Sequence, residues 1–365
     1  MTDALSRYRA AFAACSNSTA RNRSSSLKAQ LQQLADATGA DERADVYGQG
    51  ALINDFEQQL AQMCGKPAAL FLPSGTMAQP MALRIWADHK RSPYVAMHAT
   101  SHLKLHEHNG FEVLYGLKGV TLGKADQVPQ LTDLQAASSD PLAAVLLELP
   151  MREIGGQLPA WPELVAQSQW AREQGIALHL DGARLWQCPA AYERPLADIA
   201  GLFDSLYLSF YKDLGGIAGA ALVGEQWFID SARIWLRRAG GNLYSLAPYV
   251  IAARQGLAEH LPQLPARRDN ARWLAGQLNQ LPGVQTWPKE PQTNMFRLRI
   301  EADAEHFLNR AADWMAAHKL ALITPPYRIS AGLLWCELTI GDAFDALPRS
   351  QWQEALARFG HEVLS

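Results

Sequence analysis

An apolar run ends in an aspartate in Ile176-Ala-Leu-His-Leu-Asp181-Gly-Ala-Arg184, and a second run ends close to a lysine in Ser205-Leu-Tyr-Leu-Ser-Phe-Tyr-Lys212. Both runs have the length and the apolar content of strands that are buried inside a parallel sheet. Parallel strands end at the same edge of a sheet, where ligands commonly bind. Asp181 and Lys212 are therefore predicted to lie at neighbouring strand ends, in one candidate site.

Further short apolar runs precede and follow this stretch, and segments with helical periodicity separate them. One such segment, residues 161–174, is predicted to form a helix that Gly175 terminates. Strands are predicted at residues 68–72, 94–97, 111–115, 142–148, 176–180, 205–208 and 219–223. Strands that alternate with helices indicate an α/β fold with a mainly parallel seven-stranded sheet, covered on both faces.

The length of the chain predicts more than one domain. Its 365 residues exceed the size, roughly 250–300 residues, at which a single hydrophobic core usually stops growing. We predict an N-terminal arm and helix over residues 1–52 and a large domain over residues 53–262, which carries the sheet. The segment Leu261-Pro-Gln-Leu-Pro265 marks the boundary, and residues 263–365 are predicted to form a smaller α+β domain.

The composition argues against several classes of protein. A hydrophobic content of 48% and a charged content of 19% fit an ordinary soluble protein, and a net charge of −3 argues against a nucleic-acid binder. No apolar run reaches the ~18 residues needed to span a bilayer, and the N-terminus lacks the pattern of a signal peptide. The cysteines lack CxxC spacing and fit a reducing cytosol, which predicts a cytoplasmic protein: Cys15, Cys64, Cys188 and Cys336.

Asp181 and Lys212 together match the requirements of pyridoxal 5'-phosphate. A lysine amine forms a Schiff base with this cofactor, and a carboxylate keeps the pyridine nitrogen protonated so that the ring accepts electrons. Each residue also has an ordinary interpretation, because Asp181 could pair with Arg184 and Lys212 could be an exposed loop lysine. Arg184 could instead bind a substrate carboxylate through two parallel hydrogen bonds.

A candidate phosphate site lies between a strand and a helix, at Ser74-Gly75-Thr76. Backbone N–H groups at a helix N-terminus bind phosphate well, and a glycine allows close approach. The alternative is ordinary helix capping, in which the Ser74 hydroxyl bonds to the first amides of the helix.

A cluster of histidines follows the predicted strand at residues 94–97. His98, His102 and His106 are spaced by four residues, which would align them on one helix face as in some metal sites. His98 ends the strand, however, so the stripe is interrupted, and no metal site is predicted. We favour a role for His102 in stacking on the pyridine ring, with ordinary surface or capping histidines as the alternative.

Several motifs follow one another in an order that is typical of a known family. The most specific is His179-x-Asp-Gly-Ala-Arg184 followed by lysine at this spacing. The chain thereby resembles the threonine aldolases, within the β-eliminating lyase group of fold type I pyridoxal-phosphate enzymes. The other matching segments are Asp45-Val-Tyr-Gly48, Phe71-x-Pro-Ser-Gly-Thr-Met77, Ser101-His102 with Glu107, Gly155-Gly156 and Lys212-x-Leu-Gly.

The resemblance implies a role for each candidate residue. Lys212, His102 and Asp181 would be catalytic, with Lys212 bound to the cofactor, Asp181 at its ring nitrogen and His102 stacked on the ring. The cofactor-binding set would be Ser74, Gly75, Thr76, His102, Asp181, Arg184, Ser209 and Lys212, and the substrate-binding set would be Arg184, Tyr47 and Arg152. The resemblance also implies a homodimer or homotetramer with active sites at the subunit interfaces.

Three segments depart from the family pattern, and all three concern charged or hydrogen-bonding residues. Met151 stands where family members carry a histidine near the substrate hydroxyl, and Leu243 and Cys336 stand where they carry arginines. The resemblance implies cleavage of a β-hydroxy amino acid to glycine and an aldehyde. The departures leave two alternatives open: β-elimination on another amino acid, or a protein that binds pyridoxal phosphate with degenerate activity.

Overall fold

The computed structural model describes residues 2–23, 25–138 and 141–364. The helices are α1 (Thr2–Ala13), α2 (Leu27–Asp36), α3 (Ala51–Met63), α4 (Gly75–Lys90), α5 (His102–Leu105), α6 (Gly110–Val113), α7 (Leu131–Ala137), α8 (Trp161–Glu173), α9 (Cys188–Tyr192), α10 (Leu196–Ala200), α11 (Gln226–Arg238), α12 (Ala247–His260), α13 (Leu264–Leu278), α14 (Ala304–His318) and α15 (Arg349–Val363). Every helix in the described ranges is too short or too polar to cross a lipid bilayer.

The strands are mostly five to seven residues long. They are β1 (Asn17–Ser18), β2 (Ala68–Leu72), β3 (Tyr94–His98), β4 (Lys118–Leu122), β5 (Ala144–Glu148), β6 (Ala177–Gly182), β7 (Ser205–Ser209), β8 (Ala220–Gly224), β9 (Val284–Trp287), β10 (Met295–Glu301), β11 (Leu320–Ala321), β12 (Arg328–Ser330) and β13 (Leu333–Thr339). Short 3₁₀ segments lie at Arg152–Ile154, Leu185–Gln187, Leu261–Gln263 and Asp342–Ala346.

The chain divides into two units, each with its own core. The larger unit consists of Ser26–Met151 and Leu158–Gln263, and the smaller unit consists of Met1–Ser25, Arg152–Gln157 and Leu264–Ser365.

The larger unit is built on a sheet with the strand order β2-β8-β7-β6-β5-β3-β4. Strand β8 is antiparallel to both of its neighbours, and the other pairs are parallel. All residues of β6, β7 and β8 are buried, as expected where helices cover both faces of a sheet. The predicted α/β class, with a mainly parallel seven-stranded sheet, is confirmed.

Helix α4 packs on one face of this sheet, and its position is set by the strand before it. Strand β2 ends at Leu72 and α4 begins at Gly75, so the helix N-terminus lies at an edge of the sheet. Since β2 and β7 are both antiparallel to β8, they run in the same direction. The first turn of α4 and the residues that follow β7 therefore lie at the same edge.

One predicted strand of the larger unit is wrong. Residues 111–115 do not form a strand: α6 occupies Gly110–Val113, and the edge strand is β4, seven residues later. Only Phe111 of the predicted strand is buried, whereas Val113 and Leu114 are exposed. Strand β4 is itself mostly exposed, because it lies at the edge of the sheet, and so it carries little apolar signal in the sequence.

The smaller unit contains an antiparallel sheet in the order β12-β13-β10-β9, packed with helices around a second core. The predicted smaller α+β domain is confirmed in its fold class. The sequence predicts an N-terminal arm and helix over residues 1–52; in the structure, helix α1 of this segment packs within the smaller unit. Tyr8 is buried against Phe307 of α14, and its hydroxyl donates to the Ile323 carbonyl oxygen at 2.8 Å.

Candidate active site

Asp181 and Lys212 belong to adjacent strands of the large sheet. Asp181 lies in β6, where it pairs with Glu148 of β5 on one side and with Tyr207 of β7 on the other. Lys212 follows the end of β7 at Ser209. The charge of each residue shifts the pKa of the other, so the carboxylate and the amine are close enough to interact through their charges.

The Asp181 carboxylate is buried, with 2% of the residue exposed. Burial raises its pKa above the ordinary range, although Lys212, the Ala183 amide, His102 and Arg184 act in the opposite direction. The Ala183 N–H donates to Asp181 Oδ1 at 3.1 Å. Among the described residues none forms an ion pair with Asp181, which excludes the predicted alternative of a structural pair with Arg184. The carboxylate therefore lacks a direct cationic partner.

The surroundings of the Lys212 amine disfavour its charged form. Burial lowers its pKa, and Arg184 lowers it further, while Asp181, Glu148 and Asp213 raise it. A lysine with a lowered pKa has a larger fraction of neutral, nucleophilic amine at a given pH than an exposed lysine. Lys212 is thus not the exposed loop lysine of the alternative interpretation.

His102 begins the short helix α5, and an acidic residue fixes its orientation. Its Nδ1 lies 2.9 Å from Glu107 Oε1, and the Glu107 side chain is only 4% exposed. When Nδ1–H donates to the carboxylate, the lone pair of a neutral imidazole is on Nε2. The arrangement leaves Nε2 as the nitrogen that can accept a proton.

The remaining histidines of the cluster do not share this site as a metal centre. His98 ends β3, and its ring nitrogens bond with the Thr100 hydroxyl and the Lys124 carbonyl, both at 2.7 Å. The His106 ring lies 4.9 Å from the His102 ring. Across residues 2–23, 25–138 and 141–364, no three His, Cys, Asp or Glu side chains are grouped in a way that could hold a metal ion.

The Ser74-Gly75-Thr76 segment forms the first turn of α4, a helix of 16 residues. Ser74 occupies the N-cap position but its side chain makes no capping hydrogen bond, unlike the predicted alternative of ordinary capping. The first amides of the helix therefore have no side-chain acceptor there. Gly75 has no room for a side chain, because a Cβ would lie 2.0 Å from the Tyr207 hydroxyl oxygen.

Ser209, the last residue of β7, is completely buried, and its hydroxyl has no hydrogen-bond partner of acceptable geometry among the described residues. It lies opposite Ala220 of β8, which in turn lies opposite Leu72 at the end of β2. Ser209 is therefore in the row of the sheet that leads into the first turn of α4. An unpartnered buried hydroxyl at that place suits a ligand with hydrogen-bond acceptors.

Arg184 follows β6 and is half-buried. Its guanidinium makes no hydrogen bond or ion pair with any side chain in the described parts of the chain, yet its charge influences both Asp181 and Lys212. A guanidinium without a protein partner, close to these two groups, is available for an anionic group of a ligand.

The other two predicted substrate-binding residues are Tyr47 and Arg152. Neither forms a hydrogen bond with Lys212 among the bonds described. Tyr47 lies in an exposed loop, where its ring meets the edge of Tyr244 at 5.4 Å. Arg152 belongs to the smaller unit, where it donates to Glu337 Oε1 at 3.0 Å and to Glu153 Oε1 at 3.1 Å. Their roles in substrate binding remain predictions.

The sequence did not assign a role to three residues that the structure associates with the site. Glu107 forms a hydrogen bond with His102. Glu148 lies opposite Asp181 on the neighbouring strand β5, and its charge raises the pKa of Lys212. The hydroxyl of Tyr207 lies against Gly75. The alternation of side chains along a strand could have placed Tyr207 on the same face as Ser209.

The comparisons with known proteins identify the family. The sequence profile of the beta-eliminating lyases matches residues 26–301. The chain belongs to the beta-eliminating lyase family. The low-specificity L-threonine aldolase of Escherichia coli K12 is 29% identical to this family member over 287 residues, which are 75% of this chain and 81% of that one.

Two solved structures extend the likeness over the whole of this family member. One is a Listeria monocytogenes protein provisionally assigned as an L-allo-threonine aldolase, with 37% identity, a TM-score of 0.94 and coverage of 98% of this chain and 99% of that one. The other is an Exiguobacterium protein provisionally assigned as an aromatic amino acid beta-eliminating lyase or threonine aldolase, with 39% identity, a TM-score of 0.93 and the same coverage. The predicted family and the predicted fold type are confirmed.

Proposed function

We propose that this chain is a pyridoxal-phosphate-dependent carbon–carbon lyase that cleaves a β-hydroxy amino acid to glycine and an aldehyde. The observation that carries the proposal is the set formed by the buried Asp181 and the half-buried Lys212 and Arg184, which interact through their charges without forming an ion pair. Membership of the beta-eliminating lyase family supports the reaction class. The likeness to threonine aldolases supports the choice of bond.

The residues of the site fit the cofactor. Asp181 would hold the ring nitrogen, since its buried carboxylate lacks a direct cationic partner, and Lys212 would hold the aldehyde carbon. Ser74, Thr76 and the buried Ser209 hydroxyl would hold the phosphate, together with the first amides of α4. When bound, pyridoxal phosphate supplies an electron-accepting ring that takes up the charge left on the substrate Cα when a bond to that carbon breaks.

Arg184 would bind the α-carboxylate of the substrate. A guanidinium forms two parallel hydrogen bonds with a carboxylate, which fixes the orientation of the group as well as its position. With the carboxylate fixed, rotation about the bond to Cα is restricted. The orientation of the substrate about Cα then determines which bond to Cα breaks. The entropy cost of holding the substrate in this orientation is met when it binds, before the reaction.

Cleavage between Cα and Cβ requires a base for the β-hydroxyl proton. The hydroxyl loses its proton as Cβ becomes the aldehyde carbon, the electron pair of the broken bond stays with Cα, and a proton delivered to Cα completes glycine. Two groups can accept the hydroxyl proton: the Lys212 amine, whose pKa burial lowers, and Nε2 of His102. Met151, which stands where the resemblance implies a histidine, is buried, and its thioether can neither donate a hydrogen bond nor accept a proton.

The reaction itself tests the proposal. Purified protein loaded with pyridoxal phosphate is expected to release glycine and acetaldehyde in equal amounts from threonine or allo-threonine. Both products would be quantified, together with pyruvate and ammonia from serine and cysteine derivatives. Release of pyruvate and ammonia without glycine would instead support β-elimination. Binding of cofactor without either set of products would support a degenerate enzyme.

Glu107 is expected to act as a positioning residue for His102. Replacing Glu107 by alanine removes the acceptor of the Nδ1 proton, so the imidazole can turn and change tautomer. We expect kcat to fall about 10-fold to 100-fold with little change in KM. Glu107→Gln keeps an acceptor oxygen at the same place and should retain most of the activity. Steady-state kinetics of both variants measure the effect.

Glu112→Ala provides the matched control, because Glu112 is an exposed carboxylate on the neighbouring helix α6. It should leave kcat unchanged. Equal losses in Glu107→Gln and Glu107→Ala would contradict a role in fixing the tautomer, and a rise in KM alone would indicate a role in substrate binding.

The predicted homodimer or homotetramer remains part of this proposal. Helix α2 has no buried residue, and its Leu27 and Leu31 are 71% and 57% exposed. Tyr47 and Tyr244 are also exposed on the larger unit. Exposed apolar side chains mark a surface that contacts other proteins when they form one contiguous patch, as a subunit interface at these residues would require. Light scattering of the purified protein would give the number of subunits.

A further inference from the structure

Strand β7 directs a row of hydroxyl groups toward helix α4. Ser205, Tyr207 and Ser209 alternate along the strand, so their side chains lie on one face. The first of them identifies the face: the Trp86 indole N–H of α4 donates to Ser205 Oγ at 2.8 Å. Tyr207 is thus on the side of the sheet that α4 covers, one step closer to the edge with the candidate site.

The Tyr207 hydroxyl reaches the first turn of α4. A Cβ on Gly75 would lie 2.0 Å from the hydroxyl oxygen of Tyr207, and 2.5 Å from the ring carbon that bears it. The phenol therefore lies against the backbone of the residue that opens the helix. This is the place where helix amides and the positive end of the helix dipole attract an anion.

Tyr207 is buried and keeps its proton. Burial raises its pKa well above the ordinary value, and neighbouring Tyr211 and Asp181 raise it further. At neutral pH the hydroxyl is therefore a hydrogen-bond donor. The hydroxyls of Ser209 and Tyr211 lie near that of Tyr207, and side-chain hydrogen bonding with them also influences its pKa, Ser209 lowering it and Tyr211 raising it.

The sequence gives a reason for additional neutral donors at this place. The resemblance implies a phosphate-binding arginine at the position where this chain has Leu243, in the segment Ala239-Gly-Gly-Asn-Leu243. A phosphate dianion held by a helix N-terminus still needs donors for its remaining oxygens. Two buried hydroxyls can supply them without burying another charge.

We propose that the Tyr207 hydroxyl binds the phosphate group of pyridoxal phosphate, together with Ser209 and the first turn of α4. The inference rests on the proposed function, since it assumes that the chain takes up this cofactor. It assigns to Tyr207 a hydrogen bond to a charged acceptor, the kind whose loss weakens binding by about tenfold or more.

The test compares a ligand that carries the phosphate with one that does not. The dissociation constants of pyridoxal phosphate and pyridoxal are measured by equilibrium dialysis for the wild type and for Tyr207→Phe, which removes only the hydroxyl. We expect the affinity for pyridoxal phosphate to fall about tenfold or more and that for pyridoxal to stay within about twofold. The phosphorus NMR shift of the bound cofactor should also move in the variant.

Tyr192→Phe is the matched control, because Tyr192 is half-buried and its hydroxyl donates to the Pro159 carbonyl at 2.8 Å. It should change neither affinity. Equal weakening of both ligands in Tyr207→Phe, or no weakening, would overturn the assignment of Tyr207. The assignment would also be overturned if Arg237→Ala lost affinity for pyridoxal phosphate but not for pyridoxal, while both affinities of Tyr207→Phe were unchanged. Arg237 would then be the residue that contacts the phosphate. A wild type that takes up neither ligand would overturn the proposed function itself.

Discussion

Replacing Lys212 by alanine is expected to abolish turnover and to remove the visible absorbance that pyridoxal phosphate shows when it is bound to a lysine. The substitution deletes both the covalent anchor of the cofactor and one of the two groups that can accept the hydroxyl proton. The loss in kcat/KM should be at least about 10³-fold, because two catalytic functions disappear together. Absorbance spectra and product assays on the cofactor-loaded variant measure the two effects.

Lys66→Ala is the appropriate control for this experiment. Lys66 is another partly buried lysine of the larger unit, where burial also lowers the pKa of the amine, and it donates to the Phe203 carbonyl. Its loss should reduce stability while leaving the absorbance and kcat of the folded protein unchanged. If Lys212→Ala kept its absorbance, or if Lys66→Ala lost it, Lys212 would not be the anchor.

The location of the site could be predicted from the sequence because it depends on strand direction and little else. Asp181 ends one nearly all-apolar run and Lys212 follows another by a few residues, and such runs become central strands of a parallel sheet. Neighbouring strand ends then bring the two residues together whatever the remaining packing is. The same argument places the first turn of α4 at this edge, since β2 directly precedes the helix.

The parts that could not be predicted depend on packing or on register. The edge strand β4 has few buried positions, so its sequence has no apolar pattern that would distinguish it from a loop. The apolar residues that precede it form helix α6 instead. Helix α1 joins the smaller unit because Tyr8 packs there against Phe307, a contact between residues about 300 positions apart in the sequence. No local pattern contains such information.

The supporting residues of the site were missed for a related reason. Glu107 was visible in the sequence, but its bond to His102 depends on how the chain turns after α5. The place of Tyr207 depends on the register of β7 against its neighbours and on the close approach of Gly75. Sequence patterns identify the groups that carry the chemistry, whereas the groups that orient them become apparent only from the packing.

Replacing Asp181 by asparagine is expected to raise the stability of the cofactor-free protein while lowering activity about 10²-fold or more. Burial raises the pKa of Asp181, which means that the ionised carboxylate is disfavoured in the folded state relative to the unfolded state. Asparagine has nearly the same shape and carries no charge, so this cost disappears. The activity falls because an amide cannot keep the ring nitrogen of the cofactor protonated.

The pH dependence of the stability gain has a definite sign. The folded pKa of Asp181 lies above its unfolded value, so between these two pKa values the native state binds more protons than the unfolded state. The contribution of Asp181 to stability is therefore complete below the unfolded pKa and is lost as the pH rises through the folded pKa. Asp181→Asn should match the wild type in acid, exceed it increasingly as the pH rises from the unfolded to the folded pKa of Asp181, and keep a constant advantage above that, as measured by thermal unfolding without cofactor.

Asp45 provides the contrast that separates this effect from burial alone. Asp45 is also fully buried, but its carboxylate accepts hydrogen bonds from the Leu246 amide at 2.7 Å, the Ser245 hydroxyl at 2.9 Å and the Gly48 amide at 3.1 Å. Asp45→Asn replaces an acceptor oxygen with a donor and should destabilise the protein by about 1–3 kcal/mol. If both variants were destabilised equally, the folded chain would stabilise the Asp181 carboxylate as fully as that of Asp45, beyond the single bond from the Ala183 amide. The site would then be complete without a cofactor, because a carboxylate that is stabilised within the protein has no need of a pyridinium nitrogen.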